Sequence, residues 1–284
     1  MTTLIMQGKP VAAVYRECLQ AKLAAAKAQG TQVTLAILTV GDDPASQIYR
    51  DRLAKTTESV GAAVRKLNLP AASTQAEVLA AVQQLNVDPT VRGILPMMPL
   101  PKQINERAVC AALAPEKDLD CLQPVNCGLL YLGQSKWGPC TPRACLAILD
   151  YYKVAVAGKH VVVIGRSNVV GKPVALLLLQ RNATVTICHS KTANLSAIIK
   201  SADVVIAAVG RAGFVKPDML RDGVILVDVG INARPGGGIT GDIDPACYAK
   251  AAAYTPVPGG VGVVCNMMVL ETLTRNLEEV KAHA

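Results

Sequence analysis

The sequence predicts an α/β protein of two lobes, an N-terminal α/β domain and a Rossmann-type domain, with a C-terminal helix returning to the first lobe. Three observations carry this reading. Short all-apolar runs alternate with helical stretches along most of the 284 residues, the pattern of buried parallel strands joined by right-handed crossovers. A turn-rich stretch, Gly133 to Pro142, separates two such series. In the second series a strand runs straight into a glycine-bounded loop, Gly165 to Gly171, and then into a helix. The expected bounds are 1–140 for the first domain, joined by a helix over 267–284, and 141–266 for the second.

In the first series, Val33 to Val40 reads as a buried strand ending in Gly41-Asp42-Asp43-Pro44. Asp43 suits an N-cap and Pro44 the first helical position. The helix runs to about Val60 and stops at Gly61. Ala63 to Leu69 is a second strand. A helix with apolar positions Val78, Leu79, Val82 and Leu85 follows, then a strand from Val91 to Met97 ended by Pro99 and Pro101. In the second series the expected elements are a strand Val161 to Ile164, a helix Lys172 to Arg181 and a strand Thr184 to Cys188. They continue with a helix Leu195 to Lys200 and strands Val204 to Val209 and Val224 to Val229. The tail from about Met267 reads as helix.

Composition narrows the function classes. Hydrophobic residues make up 51% and charged residues 18%, a globular balance with ample core material. No apolar run reaches the roughly 18 residues of a membrane span. Met1 to Pro10 lacks a basic stretch followed by an apolar core, so no secretory signal is expected and a cytoplasmic location is. The nine cysteines include no C-x-x-C pair and read as buried free thiols, with no metal site expected. The net charge of +8 is dispersed, with no basic block beside an aromatic platform. It suits small anionic ligands; neither nucleic acid nor membrane is expected as a partner.

The run from His160 to Pro173 carries the first chemistry. Gly165 lets the chain turn off the strand, and Gly171 permits close approach where the helix begins, leaving backbone N–H groups for an anion. The spacing, glycine, five residues, glycine, is a weak motif alone. The next strand sharpens it. An NAD-preferring site usually carries an acid there for the ribose hydroxyls. Here the strand ends Cys188-His189-Ser190-Lys191-Thr192, with no acid. Arg166, Ser167, Ser190 and Lys191 make a cationic, hydroxyl-lined edge suited to a 2′-phosphate. The expected cofactor is NADP, with NAD second.

Several long stretches then resemble one family. They are Gly165-Arg-Ser-Asn-Val-Val-Gly-Lys-Pro173, Ala183-Thr-Val-Thr-Ile-Cys-His-Ser-Lys-Thr192, Tyr254-Thr-Pro-Val-Pro-Gly-Gly-Val-Gly262 and Gly41-Asp-Asp-Pro-Ala-Ser-Gln-Ile-Tyr49, with Pro139-Cys-Thr-Pro142 and Gly241-Asp242. The chain resembles methylenetetrahydrofolate dehydrogenase/cyclohydrolase almost from end to end. The resemblance implies a folate site between two lobes, hydride transfer from the methylene carbon to NADP, hydrolysis of the methenyl product to the formyl one in many members, and a homodimer. It implies that Gly165, Arg166, Ser167, Gly171 and Ser190 hold the cofactor and that Ile231 meets its nicotinamide end. Tyr49 would stack on the aminobenzoate ring and Asp120 bond the pterin, these two being the catalytic candidates. Pro99, Leu100, Gly259 and Gly260 would line the substrate site.

The chain departs from the family pattern on the folate side. The family helix reads Tyr, three residues, Lys, and that Lys is the acid/base of hydrolysis. Here the fourth position after Tyr49 is Leu53, which transfers no proton. On a helix it lies ~40° from Tyr49, whereas Lys55 lies ~240° round and should point away. Arg52 could reach the same face, but guanidinium stays protonated and cannot act as a base. The family's Gln-Leu-Pro becomes Met97-Met98-Pro99, its Asp-Gly-Phe becomes Asp120-Cys121-Leu122, and its Gly-Val-Gly-Pro-Met-Thr becomes Gly260-Val-Gly-Val-Val-Cys265. A glycine also becomes Ala144. The leading expectation is an NADP-dependent methylenetetrahydrofolate dehydrogenase with weak or lost cyclohydrolase activity. The alternatives are an oxidoreductase on a related cyclic amine or pterin, and a paralogue that binds nucleotide or folate without turnover.

Overall fold

The computed structural model describes residues 3–135, 138–234 and 236–277. In chain order its elements begin β1 (Leu4–Ile5), α1 (Gly8–Ala28), β2 (Thr34–Val40), α2 (Pro44–Val60), β3 (Ala63–Leu69), α3 (Gln75–Val87), β4 (Val91–Pro96), α4 (Glu106–Ala112) and α5 (Pro124–Tyr131). They continue α6 (Cys140–Tyr151), β5 (His160–Ile164), α7 (Gly171–Leu179), β6 (Thr184–Cys188), α8 (Leu195–Lys200), β7 (Val204–Ala207) and β8 (Val224–Asp228). A short hairpin, β9 (Asn232–Ala233) and β10 (Ile239–Thr240), precedes β11 (Ala251–Tyr254) and α9 (Val261–Thr274).

The chain forms two compact units, Val14–Leu129 with Val269–Ala284, and Met1–Ala13 with Leu130–Met268. The first is built on a three-stranded parallel sheet in the order β3-β2-β4. Every residue of the central strand β2 is buried, as a strand covered on both faces requires. α3 closes one face by stacking Val78, Val82 and Leu85 on Ala36, Leu38 and Val40. The helix signals read from the sequence are present. Asp43 Oδ2 accepts the Ser46 N–H at 2.8 Å, Pro44 opens α2, and Gly61 ends it at φ 99°. α3 adds a capping box, Thr74 with Glu77. The C-terminal segment is tied to this unit where Arg275 Nη2 donates to the carbonyls of Pro115 and Glu116, at 3.2 and 3.0 Å.

The second unit holds a six-stranded, all-parallel sheet in the order β6-β5-β7-β8-β11-β1. From β5 the chain first moves outward to β6, then returns to the other side as β7. The C-terminal ends of β5 and β7 are therefore the switch point where such sheets bind ligands. Its core includes Val162, Ile164, Val205, Ala207 and Leu226.

Three expectations need correction. The N-terminal residues do not join the first domain, because β1 pairs with β11 in the other sheet. The stretch 130–140 also counts with that second unit. The last helix begins at Val261 rather than Met267 and gives way to a 3-10 turn at Arg275–Leu277; the expected helical residues 278–284 lie outside the described ones.

Candidate functional site

At the switch point the backbone packs too closely for side chains. Gly165 leaves β5 at φ 129°, and a Cβ there would run into the Ala208 carbonyl. A Cβ on Gly171 would meet the Gly165 carbonyl. The turn and the start of α7 are thus in backbone contact, and only glycine fits at either place.

The anion donors differ from the expected ones. Ser167 Oγ accepts the N–H groups of Val170 and Gly171, at 3.1 and 3.4 Å, and its carbonyl accepts that of Lys172 at 3.1 Å. Pro173 has no N–H. The first turn of α7 is therefore satisfied internally and offers little to a ligand. Within the loop itself, the N–H groups of Arg166, Ser167, Asn168 and Val169 have no protein partner among the described residues. These four residues are exposed.

β6 lies beside β5 with Cys188 opposite Ile164, so Ser190 and Lys191 leave the strand next to Arg166 and Ser167. Their turn is closed by His189, whose N–H donates to Thr192 Oγ1 at 2.8 Å and whose Nδ1 accepts from Lys191 N at 3.1 Å. Ser190 and Lys191 are exposed at its tip. Free N–H groups, two hydroxyls and two cations without a neighbouring acid form a set that fits a phosphorylated dinucleotide.

Two buried carboxylates hold the remaining loops at this end of the sheet. Asp242 accepts the N–H groups of Val209, Gly210 and Arg211 and the Asn232 amide. Asp228 accepts those of Gly230, Asp242 and Ile243, each at 2.9 Å. Burial pushes the Asp228 carboxyl up to about 6 despite these donors. Gly230 and Gly241 have no room for a Cβ against these two carboxyls. The resulting turn presents Ile231, which is 67% exposed. After β11, Gly259 turns at φ 112° and its carbonyl accepts Gly8 N–H at 2.7 Å. Gly260 packs under Thr255 and Pro256, where a side chain would collide.

In the other unit the candidates gather at the C-terminal ends of β2 and β4. Ser46 Oγ donates to the Met98 carbonyl at 3.3 Å, joining the start of α2 to the loop after β4. That loop contains a cis Met98-Pro99 bond. Asp118 pairs as a bridge with Ile94 of β4, which brings the segment carrying Asp120 alongside. Tyr49 is 39% exposed and Pro99 is also exposed. Leu100 is not a free lining residue: it is buried in the core with Leu38 and Val40. Leu53 is 0% exposed and Met97 4%, whereas Arg52 and Lys55 are exposed.

Two lysines of this unit are engaged elsewhere, while Lys55 and Lys102 are exposed. Lys117 Nζ donates to the carbonyls of Leu85, Asn86 and Asp88, at 3.1, 2.6 and 2.7 Å. Lys66 is paired with Asp51 at 2.8 Å, and Asp51 is held well below the usual carboxylate range first by Arg50 and then by Lys66. Cys121 sits at φ 53°, in the left-handed region that favours glycine. No group of three or more metal-ligating side chains occurs among the described residues, and no described helix is long and apolar enough to cross a membrane.

Residues 6–120 match the model of the tetrahydrofolate dehydrogenase/cyclohydrolase catalytic domain, and residues 139–281 that of its NAD(P)-binding domain. The chain is 46% identical over 259 residues to the bifunctional protein FolD 2 of Lactobacillus johnsonii, covering 91% of this chain and 92% of that one. A crystal structure of the bifunctional FolD of Campylobacter jejuni superposes with a TM-score of 0.96 at 39% identity, over 98% of this chain and 100% of the other. The Trypanosoma brucei dehydrogenase-cyclohydrolase, solved with NADP and an inhibitor, gives a TM-score of 0.94 at 32% identity over 100% of both chains.

Proposed function

The chain belongs to the tetrahydrofolate dehydrogenase/cyclohydrolase family, and from that premise we propose that it oxidises methylenetetrahydrofolate with NADP and has little or no cyclohydrolase activity. The single observation behind the second half is Leu53, fully buried at the helix position one turn after Tyr49.

NADP, when bound, supplies the acceptor for a hydride leaving the methylene carbon. Arg166, Ser167 and Ser190 hold its phosphates with the free N–H groups of the loop, Gly165 and Gly171 keep the backbone close, and Ile231 meets the nicotinamide end. Tyr49 stacks on the aminobenzoate and Asp120 bonds the pterin. Pro99 and the backbone around Leu100 line the folate beside them, and Gly259 and Gly260 are proposed as further substrate residues. Hydride transfer needs alignment of donor and acceptor carbons and leaves the positive charge on the substrate. Hydrolysis needs more, because water must be activated by a base. Leu53 and Met97 have no proton to transfer, Lys117 and Lys66 are engaged elsewhere, Lys55 lies ~240° round α2 from Tyr49, and a guanidinium such as that of Arg52 is no general base. The protein acts as a cytoplasmic homodimer in this reading.

The test is to mix the full chain with methylenetetrahydrofolate and NADP and to follow reduced cofactor and methenyl product separately. Methenyl accumulating in step with reduced cofactor supports the proposal. Absence of reduction despite NADP binding supports the non-catalytic paralogue instead.

A further inference from the structure

We infer that Asp118 is the positioning residue for Asp120, an inference that rests on the proposed contact between Asp120 and the pterin. Asp118 is 1% exposed and gathers four donors. Its Oδ1 accepts the N–H groups of Asp120 and Leu122, at 3.3 and 3.1 Å. Its Oδ2 accepts the Gln123 N–H at 3.0 Å and Asn126 Nδ2 at 2.8 Å. Asn126 Nδ2 also donates to the Pro115 carbonyl at 2.9 Å, so the carboxylate itself is held from behind. On its other side Lys117 is anchored to the end of α3 by three carbonyls.

The segment from Asp120 to Gln123 belongs to no helix or strand. Three of its four N–H groups end on this one carboxylate. The two that flank Cys121 converge on a single oxygen, which closes the chain around Cys121 and holds it at φ 53°. A residue with a Cβ does not adopt that conformation unless its surroundings impose it. Asp120 is the half-exposed residue that this clamp presents. An amide at position 118 would turn an N–H toward N–H donors and could not accept all four bonds.

A double-mutant cycle on the full chain tests this, with KM for methylenetetrahydrofolate at saturating NADP as the main readout. Asp118→Asn should raise KM about tenfold with kcat within about threefold, and NADP affinity should not change. In an Asp120→Ala background the same substitution should add less than about twofold, because the residue it positions is gone. If Asp118→Asn lowers yield too far, Asn126→Ala removes one of the four donors and should raise KM about threefold only while Asp120 is present. Equal effects with and without Asp120, or no change in KM for Asp118→Asn, would overturn the positioning role. An unchanged KM for Asp120→Ala alone would instead remove the reading of Asp120, and this inference with it.

Discussion

Tyr49 and Leu53 stand one turn apart on α2, yet the phenol is 39% exposed while the Leu53 side chain is wholly buried. The buried stripe of this helix includes Ser46, Leu53, Thr57 and Val60, the spacing of a core-facing surface. Position 53 therefore serves packing in this chain, and the exposed ring of Tyr49 is left without a proton-transferring neighbour one turn on.

Placing Lys and Gln at positions 53 and 97 has a stability cost that depends on both partners. Leu53→Lys alone should destabilise by about 3 kcal/mol, since it trades core packing for a buried charge. Adding Met97→Gln should recover part of this loss by giving the ammonium an acceptor. Urea denaturation of the single and double variants checks it. A double variant no more stable than the single one would mean that the two side chains do not meet.

Cofactor choice should follow the loop cation. Arg166→Ala should weaken NADP binding about tenfold and leave NAD binding within about twofold, because a charge-assisted bond to the extra phosphate is lost. Gly171→Ala should weaken both dinucleotides together, as its Cβ would push the Gly165 carbonyl aside. Calorimetric titration with each dinucleotide separates the two patterns.

Cys121 holds a left-handed backbone that glycine adopts freely. Cys121→Gly should stabilise the protein by about 0.5–1 kcal/mol, the relief of strain exceeding the added freedom of the unfolded chain. A thermal melt checks the sign. Destabilisation would show that the thiol's packing outweighs the strain.

Asp228 predicts a pH dependence of definite sign. Its folded value, about 6, lies above the ordinary 3.8 because burial outweighs three N–H donors. The native state thus binds this proton more tightly than the unfolded one. The contribution is fully present below about pH 4 and is lost as pH rises through about 6, a change of about 3 kcal/mol. Asp51, Glu77, Asp88 and Asp244 are shifted downward and act in the opposite sense. The test is therefore the difference in stability between the native sequence and Asp228→Asn from pH 4 to 7. That difference should shrink as pH rises, and a flat difference would contradict the assignment.

Much of the fold was legible because its signals are local. Asp43, Pro44 and Gly61 mark both ends of α2 within the chain itself, and the apolar run of β2 needs no partner to be read. β1 and β11 leave no local signal because each is short and Leu4–Ile5 becomes a strand only by pairing with residues some 250 positions away, at Ala253 and Tyr254. The glycine loop is legible but its free donors are not, since nothing in the sequence says that Ser167 folds back to satisfy the start of α7. Asp118 and Asp228 had no signature either, since their partners are backbone N–H groups and any residue can supply those.

The measurement that bears most directly on the account is the rate at which the protein hydrolyses added methenyltetrahydrofolate while it is shown, in the same preparation, to reduce NADP with methylenetetrahydrofolate. A chain with Leu53 at the base position should reduce NADP and leave added methenyl substrate to decay no faster than in buffer alone. Hydrolysis keeping pace with NADP reduction would contradict the account, and would mean that this protein activates water without a lysine at position 53.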